Sequence, residues 1–131
     1  LYGGDLEMRL RQEIVLGIGG ARLLELLGIE PEMFHLNEGH AAFAALERIR
    51  QCRKKNNLSF EEALIATRVG NLFTTHTAVP AGFDRFPLRL IEKYLGLYAE
   101  NQLGISRSEL LALGKNGEED GWFNMAHLAV R

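Results

Sequence analysis

A chain of 131 residues can enclose one hydrophobic core, and 47% apolar with 24% charged residues is the composition of an ordinary globular domain. The formal net charge of −2 gives no global attraction to nucleic acid or an anionic membrane, and no apolar stretch approaches the length of a membrane span. A single cysteine, Cys52, excludes an internal disulfide and fits a reducing cytoplasm.

The chain opens at Leu1-Tyr2-Gly3-Gly4, without an initiator Met, and no targeting segment is expected. Asp5 suits a helix N-cap, and Leu6, Leu10, Ile14 and Ile18 recur at four-residue intervals, the pattern of one buried helical stripe. Residues Glu13 to Arg22 admit two readings. As strand and turn they hint at a glycine-rich phosphate loop, but Arg22 stands where G-x-G-x-x-G needs its third glycine. The expected reading is one long helix, its glycines admitting close packing, that Gly28 ends and Pro31 keeps ended.

A first strand is expected from Met33 to Asn37, then a helix from about Gly39 whose small face, Ala41 to Leu46, suits packing on a sheet. Arg48, Arg50, Arg53, Lys54 and Lys55 crowd its last turns, where cations favour the helix dipole and stay solvated. Ser59-Phe60-Glu61-Glu62 is a capping box that opens a helix to about Val69, and Gly70 stops it. A second strand runs from Asn71 to Thr77, and Ala78 to Pro87 reads as a loop. Leu88 to Tyr98 returns to helix, with Leu90, Ile91, Tyr94, Leu95 and Tyr98 on one face. Ser106-x-x-Glu109 opens a short helix to about Leu113, Gly117 to Gly121 reads as an exposed acidic turn, and Phe123 to Arg131 reads as helix. Strand, helix, helix, strand and further helices predict an α/β layer with parallel strands. Two strands are too few for a finished sheet, so residues 1–131 are expected to be a single partial domain of something longer.

The chemistry is sought beyond the carboxyl ends of the two strands, where open parallel sheets bind ligands. Four histidines, His35, His40, His76 and His127, lack the spacing of a zinc site, and no metal centre is expected. No G-x-S-x-G elbow supports a serine hydrolase. Glu38 with His40, and His76 with Asp84, could form carboxylate–imidazole pairs that recognise sugar hydroxyls. The plainer reading has Glu38 and Asn37 capping the next helix, with His40 a satisfied first-turn residue. His35 is expected on the other face of the sheet, and His127 is expected to be structural. These residues alone leave the ligand open.

Four stretches, in order, resemble the α-glucan (glycogen/maltodextrin) phosphorylases of bacterial type. Leu6 to Glu13 is similar to the family's R-L-K-Q-E helix, Phe34 to His40 to its L-N-D-T-H segment, and Thr75 to Pro80 to its N-H-T-V-L-P or T-H-T-P-V-P segment. Asn124-Met125-Ala126-His127-Leu128 matches N-M-A-H-L. Glu38-Gly39 departs from the animal-type Asp-Thr, and Ala78 stands where many bacterial relatives carry proline.

The resemblance implies a helix-rich fragment of a Rossmann-like parallel-sheet lobe, the N-terminal lobe of a two-lobed GT-B glycosyltransferase. It implies release of α-glucose 1-phosphate from α-1,4-glucans by inorganic phosphate with retention, and a pyridoxal phosphate cofactor whose lysine lies beyond Arg131. Partners would be glucan, phosphate and the rest of the same polypeptide, with homo-oligomerisation left open. By the resemblance, His76 is the catalytic residue: its side chain contacts the glucosyl 6-hydroxyl, and its carbonyl faces the charge developing at the anomeric carbon. His40 and Glu38 line the same site, with Asn37 and Thr77 supporting them. The chain alone is expected to be inactive. Alternatives are a GT-B glucan synthase using a sugar nucleotide, or a non-catalytic glucan-binding module, for which Trp122 with Phe123 is the one aromatic candidate.

Overall fold

The computed structural model describes residues 4–77, 83–115 and 121–131. Its first feature is the long helix that the four-residue spacing predicts. Asp5 caps it, its carboxylate accepting the Met8 N–H at 2.8 Å. The helix runs as α1 (Leu6–Ile14), a π turn (Val15–Gly19) and α2 (Gly20–Leu26) without a break. The segment is therefore helix and not a phosphate loop, and of its glycines Gly17 serves close packing. A Cβ on Gly17 would lie 2.8 Å from the backbone nitrogen of Ala44, so only glycine lets the crossing helix come this close. The end is a Schellman motif: Gly28, at φ +68°, donates to the Glu25 carbonyl, and Ile29 donates to that of Leu24.

Strand β1 (Phe34–Asn37) pairs in parallel with β2 (Asn71–Thr74), Phe34 opposite Asn71 and Asn37 opposite Thr74. The crossover between them is a helix pair, α3 (Phe43–Asn56) and α4 (Phe60–Arg68), as parallel pairing requires. A short 3-10 turn (Gly39–Ala41) joins β1 to α3. The predicted capping box of α4 is present in both directions, Ser59 with Glu62. The second strand stops at Thr74, three residues short of the expected Thr77, because 75–77 turn aside to bind a carboxylate.

A second sheet was not legible in the sequence. Strand β3 (Arg85–Pro87) runs directly into α5 (Leu88–Tyr98) and pairs antiparallel with β4 (Trp122–Asn124). Phe86 and Phe123 face one another in register and are fully buried. Burial of that kind stabilises by roughly 1.5–3 kcal/mol per side chain. This corrects two expectations: Arg85 to Pro87 is strand and not loop, and Trp122 with Phe123 belongs to a strand instead of starting a helix. Asn124 caps α7 (Met125–Ala129), accepting the Ala126 N–H at 2.9 Å. A π turn (Ala99–Leu103) and α6 (Arg107–Leu113), opened by the predicted Ser106–Glu109 box, complete the described elements. Residues 78–82 of the expected loop and 117–120 of the expected acidic turn lie outside the described residues.

One core joins these parts: Leu10 from α1, Phe43, Leu46 and Ile49 from α3, Ile91 and Leu95 from α5, Leu110 from α6, and Met125 and Leu128 from α7. Lys54 and Lys55 are exposed as expected, but the three arginines of α3 are less solvated than their charge suggests. Arg48 donates to the Gly70 carbonyl at 2.8 Å, Arg53 to those of Leu58 and Gln102, and Arg50 to Glu47 and Glu25. No helix among the described residues is long and apolar enough to cross a membrane.

Candidate functional site

Parallel pairing brings the carboxyl ends of β1 and β2 side by side. Glu38 follows β1 directly and donates its N–H to the Thr74 carbonyl at 2.8 Å, extending the ladder by one bond. It does so at φ +58°, a left-handed conformation uncommon for a residue with a side chain. That turn carries its carboxylate across to the other strand. Oε2 accepts the Thr75 hydroxyl at 2.9 Å. Oε1 accepts the His76 N–H at 3.0 Å, the Thr77 N–H at 3.2 Å and the Thr77 hydroxyl at 2.9 Å.

The carboxylate is buried, and its lone pairs are taken up within the protein. The His76 N–H, with the Thr75 and Thr77 hydroxyls, holds it down at about 2, so it stays charged throughout the neutral range. The His76 ring is 71% exposed, with Nδ1 3.6 Å from Glu38 Oε1. Asn37 is exposed at the end of β1, opposite Thr74. Glu38, His76 and Thr77 thus form one constellation, with Asn37 on the same edge.

The two carboxylate–imidazole pairs exist, but their partners are exchanged relative to expectation. Glu38 belongs with His76, and His40 belongs with Asp84, at 3.1 Å between Nδ1 and Oδ2. Glu38 makes no side-chain cap on the following turn, so the plainer capping reading does not hold for it. Gly39 has a packing role: a Cβ there would sit 2.8 Å from that of Met125, so glycine admits α7 against the turn.

Around His40 stands a group that sequence reasoning missed. Arg9 on α1 donates to Asp84 Oδ2 at 2.9 Å and to Glu13 Oε1 at 2.8 Å, and its Nη2 lies 3.2 Å from His40 Nδ1. The signal was present, since Arg9 and Glu13 are four residues apart on one helix face. Glu13, His40 and Asp84 bring one ligand atom each within 4.8 Å of one another. The Arg9 guanidinium already supplies positive charge there.

Glu13 is buried, and burial, reinforced by the Asp84 charge, pushes its carboxyl up to about 8 against the pull of Arg9. Burial also raises Asp84, but the bonds from Arg9 and His40 outweigh it and hold that carboxyl below its ordinary value. Between pH 4.5 and about 8 the folded protein therefore keeps a proton on Glu13 that the unfolded chain releases. Stability is expected to fall as pH rises across that window, where the native state binds more protons than the unfolded one. Glu13→Gln, which keeps the shape and removes the titration, should flatten this slope in urea midpoints at pH 5 and pH 8. Equal slopes for both proteins would overturn the assignment.

The remaining histidines take no part. His35 is exposed on the face of β1 opposite the buried Leu36, as expected, with Nε2 2.8 Å from the Thr74 hydroxyl. His127 lies half-buried on α7.

No protein-family profile matches the chain. Whole-chain similarity is nonetheless high. The chain is 47% identical over 131 residues to a maltodextrin phosphorylase of Thermococcus litoralis and 45% over 145 aligned positions to a glycogen phosphorylase of Mycobacterium tuberculosis. It is 38% identical over 132 positions to a glycogen phosphorylase of Aquifex aeolicus. Each alignment covers 100% of this chain but only 15%, 16% and 19% of the relative. Over its whole length, the chain is homologous to one segment of the maltodextrin and glycogen phosphorylases.

Proposed function

We propose that this chain is part of the N-terminal, Rossmann-like lobe of a GT-B α-glucan phosphorylase and forms the glucosyl-facing wall of its cleft. The observation that carries the reading is the whole-chain identity of 38–47% to such phosphorylases, running through both strand ends. The geometry agrees with it. His76 presents an exposed imidazole beyond the carboxyl end of β2, on a segment fixed from behind by Glu38. An exposed imidazole on a rigid edge offers a directional contact to a sugar hydroxyl, and the neighbouring carbonyl offers a fixed dipole to positive charge. No carboxylate nucleophile is needed at this wall, in contrast to retaining glycosidases. His40, held by Asp84, and Asn37 are the further residues assigned to sugar binding, with Thr77 as support.

The activity of the whole protein is then transfer of a terminal α-1,4-linked glucosyl unit to inorganic phosphate. Pyridoxal phosphate, when bound in such enzymes, supplies its phosphate group for proton transfer. This wall does not fit that cofactor's lysine site: the described partners of the Glu38 carboxylate are Thr75, His76 and Thr77, with no lysine among them. A cytoplasmic setting belongs to the same reading, consistent with a free, half-buried Cys52. The test is direct. Incubated with an α-1,4-glucan and inorganic phosphate, the intact protein should release glucose 1-phosphate, and the isolated 131-residue chain should not. Transfer from a sugar nucleotide without phosphorolysis would overturn it.

A further inference from the structure

The Glu38 carboxylate is spent entirely on the segment 75–77, although the family resemblance implies a place for it among the sugar-binding groups. Four donors converge on it: two hydroxyls and the consecutive N–H groups of His76 and Thr77. A carboxylate so saturated and buried has little left to offer a ligand. What it does control is the peptide plane between His76 and Thr77. That unit is planar and trans, so the His76 carbonyl points away from the Thr77 N–H. The N–H is directed at Glu38, and the carbonyl is therefore directed away from it.

We infer that Glu38 is a positioning residue that, through the Thr77 N–H, aims and polarises the His76 carbonyl toward the reacting carbon of the glucosyl unit. The inference rests on the phosphorylase reading proposed above and adds to it the group that sets the dipole. Two physical effects act together. A charge-assisted bond holds the plane more firmly than a neutral one. Negative charge behind the N–H also shifts electron density toward the carbonyl oxygen, as in hydrogen-bonded chains generally. A dipole fixed this way favours a transition state in which positive charge develops, and favours a neutral ground state much less. The left-handed backbone at Glu38 fits this account, since strained residues persist where surrounding bonds over-determine them.

The variants Glu38→Gln and Glu38→Asp test it in the intact protein. Glutamine removes the charge and turns an N–H toward groups that are themselves donors. Glu38→Gln should lower kcat by about 10- to 100-fold, with KM within about threefold, as expected when an interaction is made chiefly in the transition state. Glu38→Asp, which keeps the charge, should recover most of the loss. Glu38→Gln should also lose more affinity for a protonated iminosugar, 1-deoxynojirimycin, than for neutral glucose. The Thr77 amide should exchange with deuterium faster in Glu38→Gln than in the wild type.

Equal losses for the cationic and neutral sugars, or kinetics within threefold of wild type, would overturn the inference. A wild type without phosphorolysis overturns the functional reading as well. A phosphorolytic wild type with an unaffected Glu38→Gln overturns this inference alone.

Discussion

Replacing His76 with alanine in the intact protein is expected to lower phosphorolytic turnover by about 10²–10³-fold, the cost of removing one fixed polar contact to a transition state. Folding should barely register the change. The ring is 71% exposed, and truncating an exposed side chain usually moves stability by no more than ~0.5 kcal/mol. The segment that carries it is held by its own backbone N–H on Glu38, which alanine retains. His76→Ala should thus show a large loss of kcat with an unchanged thermal midpoint. Near-normal phosphorolysis by His76→Ala would remove His76 from the mechanism. A collapse of the thermal midpoint would recast it as structural.

Glu47→Ala is expected to do the opposite, unfolding the protein without touching the wall. Glu47 on α3 is completely buried and accepts from Arg22 Nε at 3.1 Å, Arg50 Nε at 2.6 Å and the Tyr98 hydroxyl at 2.8 Å. These bonds tie α2, α3 and α5 together. Burial and the Glu47 charge push the Tyr98 phenol well above its ordinary value, so it remains a donor. Removing one partner of a buried ionic network leaves the others uncompensated and typically costs about 3–5 kcal/mol. Denaturant unfolding of the intact protein measures this. Arg22→Ala should cost much less, because the Arg22 side chain is 46% exposed and Glu47 keeps the bonds from Arg50 and Tyr98. A loss under about 1 kcal/mol for Glu47→Ala would mean that the network contributes little beyond packing.

Local signals in the sequence were read correctly where the physics is local. Asp5, Ser59 and Ser106 cap the helices they precede, and Gly28 ends the first long helix, because each choice depends on three or four neighbouring residues. The parallel pairing of the two main strands also followed from element order. The second sheet did not, because its strands are three residues each, and Arg85 meets Asn124 only after the whole α5–α6 unit has folded back. The same distinction explains the exchanged partners at the site. His76 and Asp84 are close in sequence, but Asp84 turns to Arg9 on α1 and His40, while β1–β2 pairing delivers Glu38 to His76. Arg9 and Glu13 escaped notice for a related reason. On a helix they read as an ordinary surface ion pair, and only Asp84, from far along the chain, makes them part of a half-buried group.

The crossover between β1 and β2 carries a consequence for the order of assembly. Glu38 and Thr77 can meet only once the α3–α4 pair has closed and laid the two strands in register. Closing such a segment costs chain entropy before any strand contact rewards it. The helix pair, stabilised by neighbours near in sequence and by the core residues Phe43, Leu46, Ile49, Phe60 and Ala63, is placed to form early. The carboxylate clamp is placed to form late. Its formation is therefore a marker of completed folding, and a chain that displays His76 on a fixed backbone has already closed the structure behind it.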